Sequence, residues 1–378
     1  MKAVIIGGGP SGLFLAILLK KQKLVEQIEV YEQNPKGATY GFGVGLQDSA
    51  IDKLAEAEPE TFAAIHKQMH FLTDQVVENA GQVYKLKGRF PYGAIERLAL
   101  LQILRERCEN LEIPIHYGHR LEDLSSFSDA DLIVGADGAN SVVRKAHEQE
   151  FSTEITQITK RFAWYGLKND KLESGIRVRK YKGGVFTAHY YSYTPELWTF
   201  VAEVDDNTWH QQGMSEMSDY ARKSLIEEVF SDLVDKNNLI ENNSIWSQFK
   251  PITNQSWYVN NCVLIGDALY RGHYSIGSGT RLAMEDALGL AESIAKYPNE
   301  LSKALSEYQS IGLPRKSKLM EANRRSYMWY ETLEDKADID VLSFIKDFMN
   351  RTGRMPTERV AMMYPALVED FKAMNLVD

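Results

Sequence analysis

Three glycines near the amino terminus have the spacing of a phosphate-binding loop. Gly7, Gly9 and Gly12 fit G-x-G-x-x-G directly after the apolar run Ala3–Ile6. The first glycine permits a tight turn, the second lets backbone N–H groups approach a pyrophosphate, and the third allows close packing of helix against strand. Glu32 follows 20 residues after Gly12, where a carboxylate can accept both ribose hydroxyls and would repel a 2′-phosphate. This pattern predicts a resident dinucleotide other than NADP.

Two later motifs place aspartate and glycine at the ends of apolar runs, and a simple NAD dehydrogenase needs neither motif. The motifs are Asp137-Gly138 after Leu132–Gly135, and Gly266-Asp267 after Val263–Ile265, with Gly277-Ser278-Gly279-Thr280 preceding a helical pattern.

The elements that position these motifs can be read from hydrophobic patterns. Strand, glycine turn, helix and strand within residues 3–32 make a βαβ unit. Apolar runs at 113–117, 131–134 and 261–265 predict strands that return to the same parallel sheet. Segments between 162 and 204 are rich in aromatic and β-branched residues, which predicts an antiparallel sheet of hairpins. An amphipathic helical stretch from Ser306 to Arg325 should be interrupted near Pro314.

The three motifs, in this order over about Met1 to Tyr330, resemble the fingerprints of single-component FAD-dependent aromatic hydroxylases, the para-hydroxybenzoate hydroxylase-like monooxygenases. Within that superfamily, several segments resemble 2-aminobenzoyl-CoA monooxygenase/reductase, salicyloyl-CoA 5-hydroxylase and the violacein-pathway hydroxylases. These segments are Tyr40–Leu46, Trp164–Gly166, Ala188-His189 and His273–Thr280. The sequence departs from the pattern at Tyr274, where many relatives have proline, and at Arg281, where asparagine is usual.

The resemblance implies an α/β fold: a Rossmann-like FAD-binding domain, an inserted antiparallel-sheet substrate domain and C-terminal helices. We expect the FAD-binding domain to comprise residues 1–72, 97–150 and 255–325. We expect the substrate domain to comprise residues 73–96 and 151–254, and a helical segment to cover residues 326–378.

The cofactors implied are tightly bound, non-covalent FAD and NAD(P)H as a transient co-substrate. Arg97 would lie near the phosphates and ribityl chain, and Gly277 to Thr280, at the start of the helix that follows them, would stabilise negative charge on reduced flavin. The expected cofactor-binding residues are Gly7, Gly9, Ser11, Gly12, Glu32, Arg97, Asp137, Gly138, Gly266, Asp267, Gly277, Gly279 and Thr280. Candidates for the substrate pocket are Tyr165, His189, Tyr191 and His273, because a histidine or tyrosine could take a proton from a phenol or indole.

The expected activity is hydroxylation of an aromatic or indole-like small molecule with NAD(P)H and O2, through a C4a-hydroperoxyflavin. The first alternative is a flavin reductase acting on a hydrophobic molecule without oxygen insertion. A halogenase should carry W-x-W-x-I-P, which the sequence lacks. A further alternative is a non-catalytic or purely NAD-binding protein.

Composition excludes several other classes. The net charge of −9 argues against a nucleic-acid or anionic-membrane binder, since both need concentrated positive charge. Two cysteines cannot form a disulfide scaffold, and the histidine pairs lack the partners of a metal site, so we expect no metal. No run reaches membrane length without charges or glycines. We expect a cytoplasmic enzyme, monomeric or homodimeric, that binds no nucleic acid.

Overall fold

A computed structural model describes residues 1–46, 48–277 and 279–377. Its strands lie in four sheets. Numbered along the chain, the strands are β1 (Lys2–Ile6), β2 (Gln27–Glu32), β3 (Gly43–Leu46), β4 (His70–Leu72), β5 (Gln75–Asn79), β6 (Gln82–Leu86), β7 (Tyr92–Glu96), β8 (Ile115–Tyr117), β9 (Leu132–Gly135), β10 (Thr153–Ile155), β11 (Arg161–Lys168), β12 (Gly175–Tyr181), β13 (Gly184–Ser192), β14 (Leu197–Val204), β15 (Leu239–Ile240), β16 (Ser247–Gln248), β17 (Ile252–Asn254), β18 (Tyr258–Val259) and β19 (Cys262–Leu264).

The helices connect the sheets and cover their faces. They are α1 (Pro10–Lys21), α2 (Asp48–Ala57), α3 (Pro59–Gln68), α4 (Arg97–Asn110), α5 (Val142–Ala146), α6 (Glu148–Phe151), α7 (Asp206–Gln211), α8 (Asp219–Val229), α9 (Gly279–Lys296), α10 (Leu301–Glu331), α11 (Val341–Asn350), α12 (Thr357–Met363) and α13 (Pro365–Ala373). Within the described ranges, no helix is both long and apolar enough to cross a bilayer.

The first sheet has the order β18-β19-β9-β1-β2-β8, and all pairs except β18–β19 are parallel. β1 is central and carries Val4 and Ile5, which are at most 1% exposed, as expected for a strand covered on both faces. Because β1, β9 and β19 run parallel, the loops that follow them leave the sheet at one edge. The three sequence motifs therefore meet there.

The second sheet has the order β15-β11-β14-β13-β12-β5-β6, with β16 also paired to β11. One face packs against α7 and α8 in a core containing Phe186, Phe200 and Phe230. Part of the opposite face, including Ile176, is covered by α11 and its neighbours through residues such as Phe344. The rest of that face looks toward the parallel sheet. The predicted α/β fold with an antiparallel sheet is confirmed.

The long helix α10 differs from the sequence expectation, because it continues through Pro314 without interruption. Proline removes one backbone donor and costs about 3 kcal/mol in a helix interior. Contacts on both sides of the proline offset this cost. Tyr308 packs on Trp257, with ring centroids 5.0 Å apart, and the buried Lys316 forms an ion pair with Asp286. Tertiary packing overrides local propensity here.

Candidate active site

A crevice of about 930 Å³ lies between the motif-bearing edge of the parallel sheet and the open face of the second sheet. It is large enough for a dinucleotide and a small aromatic molecule. Most of the expected cofactor-binding residues line it: Gly7, Gly9, Ser11, Glu32, Arg97, Asp137, Gly138, Asp267, Gly277, Gly279 and Thr280. Gly12 and Gly266 are buried and do not line the crevice. Ser278 lies outside the described residues.

The three glycines of the first motif have different surroundings. Gly7 has φ +113°, and a Cβ there would lie 2.2 Å from the Ala136 carbonyl oxygen. A Cβ on Gly12 would lie 2.1 Å from the Gly7 carbonyl oxygen. Gly9 is different, since no described atom lies within 4 Å of its Cβ position. Gly7 and Gly12 are thus required for close backbone packing, whereas Gly9 leaves the backbone at the N-terminus of α1 open to the crevice.

Glu32 ties the glycine loop to the end of β2. Its carboxylate accepts hydrogen bonds from the Gly8 backbone N–H at 2.7 Å and from the backbone and side-chain nitrogens of Asn34, each at 2.7 Å. The side chain is only 7% exposed, yet it lines the crevice. A carboxylate held in this position can accept ribose hydroxyls.

Two aspartates line the crevice. Asp137 Oδ2 accepts a hydrogen bond from the Val142 backbone N–H at 2.7 Å, but the buried Oδ1 has no partner among the described residues. Asp267 accepts no hydrogen bond from any side chain in the described part of the chain. Burial raises the pKa of both carboxyls, and for Asp267 the charges of Arg271 and Arg97 oppose that rise. Asp267 is solvent-accessible, yet the crevice walls surround it.

The buried Oδ1 of Asp137 has no hydrogen-bond partner among the described residues, which costs free energy, and a ligand hydroxyl would satisfy it. Asp267, which is exposed in the crevice wall, is free to accept ribityl hydroxyls. Arg97 brings positive charge to the same region, and its backbone N–H donates to the Phe42 carbonyl at 2.8 Å. Burial lowers the pKa of its guanidinium, which stays charged. The residues present therefore fit FAD.

The N-terminus of α9 faces the crevice beside these aspartates. Gly277 has φ +60°, a left-handed conformation that favours glycine, and no described atom lies within 4 Å of a Cβ built on Gly277 or Gly279. The backbone there is open to a flat ligand. The N–H groups of an 18-residue helix carry partial positive charge at its start, so negative charge on a bound ring would be stabilised.

Aromatic side chains form another part of the crevice wall. Trp164, Tyr191, Phe249 and Tyr274 line it. Tyr191, one of the pocket candidates, donates a hydrogen bond from its hydroxyl to the Gly43 carbonyl at 2.8 Å. Apolar walls of this kind exclude water from a reacting centre.

Tyr165 was a candidate for this pocket, and the structure places it elsewhere. Successive residues of a strand point to opposite faces, so Trp164 faces the crevice and Tyr165 faces the α7–α8 core. Tyr165 is 1% exposed, and its hydroxyl accepts a hydrogen bond from the Trp246 indole N–H at 3.1 Å. We therefore remove Tyr165 from the pocket and assign its place to Trp164.

His189 and His273 lie behind the aromatic wall and do not line the crevice. The ring of His273 packs on Tyr274 with centroids 4.1 Å apart, and its backbone N–H donates to Asn323 Oδ1 at 2.8 Å. Burial lowers the pKa of both histidines to about 3. Both are therefore neutral near pH 7. His273 supports Tyr274 by packing, whereas His189 packs on Tyr330, with ring centroids 5.3 Å apart.

Sequence reasoning missed Glu203 as a functional candidate. Glu203 is 2% exposed and pairs with Phe162 of β11. Val201, two residues earlier on the same strand, pairs with both Trp164 and His189, so Glu203 and His189 lie on the same face of the second sheet. An acidic residue within a largely apolar strand, Leu197–Val204, was the available signal. Tyr274 was noted only as a departure from a family pattern.

The fold and the crevice define a class of protein: a dinucleotide-binding flavoprotein with a sheltered chamber beside the cofactor site. A family model described as "FAD binding domain" matches residues 100–323. The chain is 33% identical over 341 residues to salicyloyl-CoA 5-hydroxylase from Streptomyces sp, covering 88% of this chain and 65% of that protein. It thus spans less than two thirds of that relative.

A second relative is matched almost end to end. This is 3-hydroxy-4-methyl-anthranilyl-(aryl-carrier protein) 5-monooxygenase from Streptosporangium sibiricum, 31% identical over 355 residues, covering 94% of this chain and 95% of that protein. Among solved structures, 2-methyl-3-hydroxypyridine-5-carboxylic acid oxygenase superposes with a TM-score of 0.71 at 14% identity, covering 96% and 95% of the two chains. The chain belongs to the FAD-dependent aromatic hydroxylases.

The predicted family, cofactor and enzyme class are thereby confirmed. The protein is an FAD-dependent monooxygenase of aromatic compounds, and the family favours this activity over the reductase alternative.

Proposed function

We propose that this enzyme hydroxylates an electron-rich aromatic ring that is carried as a thioester. Both curated relatives act on a ring of this type, one on a coenzyme A thioester and one on a carrier-protein conjugate. In both names oxygen enters at C5, which is para to the hydroxyl or amino group at C2. We propose the same position here, because a para donor makes a ring carbon most reactive toward an electrophilic oxygen.

The cofactor-binding residues take the following roles in this proposal. Gly9 and the start of α1 hold the pyrophosphate, and Glu32 accepts the adenosine ribose hydroxyls. Asp137 and Asp267 accept hydrogen bonds from the ligand, and Arg97 contributes positive charge near the phosphates. The supporting observation is that Asp137, whose buried Oδ1 has no hydrogen-bond partner among the described residues, and Asp267 both line one crevice.

The chain's own residues create the environment for the reaction. When bound, FAD supplies the redox chemistry that activates dioxygen with electrons from NAD(P)H. Trp164, Phe249 and Tyr274 form a wall that keeps water away from the ring and holds a planar substrate by its faces. The first turn of α9 supplies N–H groups that stabilise negative charge. The observation that carries the proposal is this aromatic chamber next to the cofactor crevice.

A coupled assay tests the proposed function. NAD(P)H oxidation, hydrogen peroxide and hydroxylated product are measured with salicyloyl-CoA, 2-aminobenzoyl-CoA and the corresponding free acids. We expect a thioester to accelerate NAD(P)H oxidation and to give ring-hydroxylated product with little peroxide. Hydroxylation of the free acids alone would contradict the proposal that the substrate is a thioester. NAD(P)H consumption without oxygen insertion would favour the alternative activity, that of a flavin reductase.

We further propose that the enzyme acts in the cytoplasm, as a monomer or homodimer, without a nucleic-acid partner. The net charge of −9 supports the last point, because nucleic acids repel an acidic surface. Light scattering coupled to size-exclusion chromatography measures the oligomeric state. A tetramer, the form named for one solved relative, would contradict this part of the proposal.

A further inference from the structure

The turn at residues 273–277, which contributes to the crevice wall before α9, is held by side chains of α10. Asn323 is 1% exposed and bonds both backbone groups of His273. Its Oδ1 accepts a hydrogen bond from the backbone N–H at 2.8 Å, and its Nδ2 donates to the carbonyl at 2.8 Å. The buried hydroxyl of Ser326 lies 2.8 Å from the hydroxyl of Ser275. The backbone of this turn is therefore fixed by a helix that follows it in the chain.

Arg351, at the end of α11, also reaches this turn. Its Nη2 donates a hydrogen bond to the Ser275 carbonyl at 3.0 Å, and its Nη1 donates to the Phe348 carbonyl at 2.6 Å. The guanidinium lies over the Phe348 ring, with its Cζ 3.9 Å from the ring centroid. Arg351 lies beyond residues 100–323, which the family model matches. The C-terminal helices thus add a contact to the crevice wall from outside the matched FAD-binding domain.

The guanidinium of Arg351 has no negative partner among the described residues. Its two hydrogen-bond acceptors are neutral carbonyls, and its buried Nε has no partner in the described ranges. Burial lowers the pKa of the group, which nevertheless stays charged. A shielded positive charge without a counter-ion costs free energy, because it has lost hydration without compensation. Such a charge stabilises negative charge that develops nearby, since little solvent screens it.

Reduction of bound FAD creates negative charge of this kind. Hydride transfer from NAD(P)H moves two electrons and one proton to FAD, and the products are NAD(P)⁺ and the anion FADH⁻. The start of α9 directly follows the turn, and its N–H groups stabilise negative charge on a bound ring. Those groups carry partial charges, whereas Arg351 adds a full positive charge one hydrogen bond away from the turn.

We propose that Arg351 is a positioning residue that adapts the cofactor site to reduced FAD. It holds the turn through the Ser275 carbonyl, and its charge shifts the redox equilibrium of the bound flavin toward FADH⁻. Arg351 does not itself line the crevice, so it acts through the turn and through its electric field. The C-terminal helices are thus part of the redox centre as well as a cover for the second sheet. This role goes beyond the proposed function and depends only on FAD binding.

The midpoint potential of the FAD-loaded enzyme tests this role. Arg351→Gln keeps a donor for the Ser275 carbonyl and removes the charge. We expect it to lower the two-electron potential by about 30 mV or more, which corresponds to a tenfold smaller equilibrium constant for reduction. Arg351→Lys keeps the charge and should remain near the wild type. Equilibration with reference dyes during anaerobic reduction gives the potentials, and Arg354→Gln, at an exposed position three residues further on, is the matched control.

Sulfite binding provides a second readout that needs neither NAD(P)H nor an aromatic substrate. Sulfite adds reversibly to oxidised flavin and leaves negative charge on the ring. Its dissociation constant should therefore rise about tenfold in Arg351→Gln and little in Arg351→Lys or Arg354→Gln. Arg351→Met, which removes the charge and places an apolar chain over Phe348, makes the same comparison if Arg351→Gln does not retain FAD.

Unchanged potential and sulfite affinity in the neutral variant overturn the role of Arg351. An equal loss in Arg351→Gln and Arg351→Lys also overturns it, because the charge would then not be the cause. If no thioester is hydroxylated, the proposed function fails, while the potentials and sulfite affinities still decide the role of Arg351.

Discussion

At the scale of single residues, Asp267 offers a direct test of the assigned cofactor contacts. Asp267 accepts no hydrogen bond from described side chains, although it faces the crevice. We expect Asp267→Ala to weaken FAD binding about 5- to 150-fold, corresponding to about 1–3 kcal/mol for one lost hydrogen-bonding group. Fluorescence titration of the flavin-free protein measures this change. The exposed Asp74→Ala is the control, and unchanged affinity in Asp267→Ala would contradict the assignment.

Glu203 should also make stability depend on pH. Its pKa is about 7 in the folded chain and near 4.5 in the unfolded chain, so the folded state binds the proton more tightly. Stability is greatest while Glu203 stays protonated and is lost as pH rises from 4.5 through 7. Glu203→Gln removes this loss, so the variant should exceed the wild type by about 2–4 kcal/mol at pH 8 and little at pH 4.5. Denaturant unfolding of both proteins at pH 4.5 and pH 8 measures the difference in their free energies of unfolding. The same difference at both pH values would contradict the raised pKa of Glu203.

The residues that sequence reasoning identified are those whose role follows from local backbone geometry. Gly7, Gly9 and Glu32 belong to one βαβ unit, so spacing alone predicts where they meet. Tyr165 was misplaced because the face of a strand depends on its register with neighbours, which the sequence of one strand does not contain. Glu203 was missed for the same reason.

At the scale of elements, two glycines of the loop after β1 are expected to have different roles: Gly7 in packing and Gly9 in the approach of the ligand. Gly7→Ala should destabilise the protein by about 3 kcal/mol or more, because its Cβ would meet backbone and φ is +113°. Gly9 has φ −79° and open space around its Cβ position. We expect Gly9→Ala to keep its melting temperature without FAD but to bind FAD more weakly. Thermal melts and flavin titrations of both variants check this, and equal instability would contradict the distinction.

Long-range packing explains which elements could not be predicted. The βαβ unit and the later parallel strands follow hydrophobic periodicity and were predicted from the sequence. The continuation of α10 through Pro314 depends on contacts with Trp257 and Asp286, which are distant in the chain. The packing of α11 against the second sheet likewise depends on side chains such as Phe344 that carry no local signal of their partner.

At the scale of the whole molecule, the crevice joins segments that are far apart in the chain. The loops after β1, β9 and β19, the start of α4 and the start of α9 contribute to one wall, and the second sheet contributes the other. A ligand that contacts all of these segments binds only the folded chain. Cofactor binding and global stability are therefore linked.

Removing FAD should consequently lower the melting temperature, and adding it back should restore the value. At a hundredfold excess over its dissociation constant a ligand adds about 2.7 kcal/mol to the folded state. FMN lacks the adenosine half that the region of Gly9 and Glu32 would hold, so it should raise the melting temperature less than FAD at the same concentration. Differential scanning calorimetry of the stripped protein with each flavin makes the comparison. Equal shifts would mean that the glycine loop and Glu32 contribute nothing to cofactor binding, because the isoalloxazine and ribityl contacts alone would then account for the stabilisation.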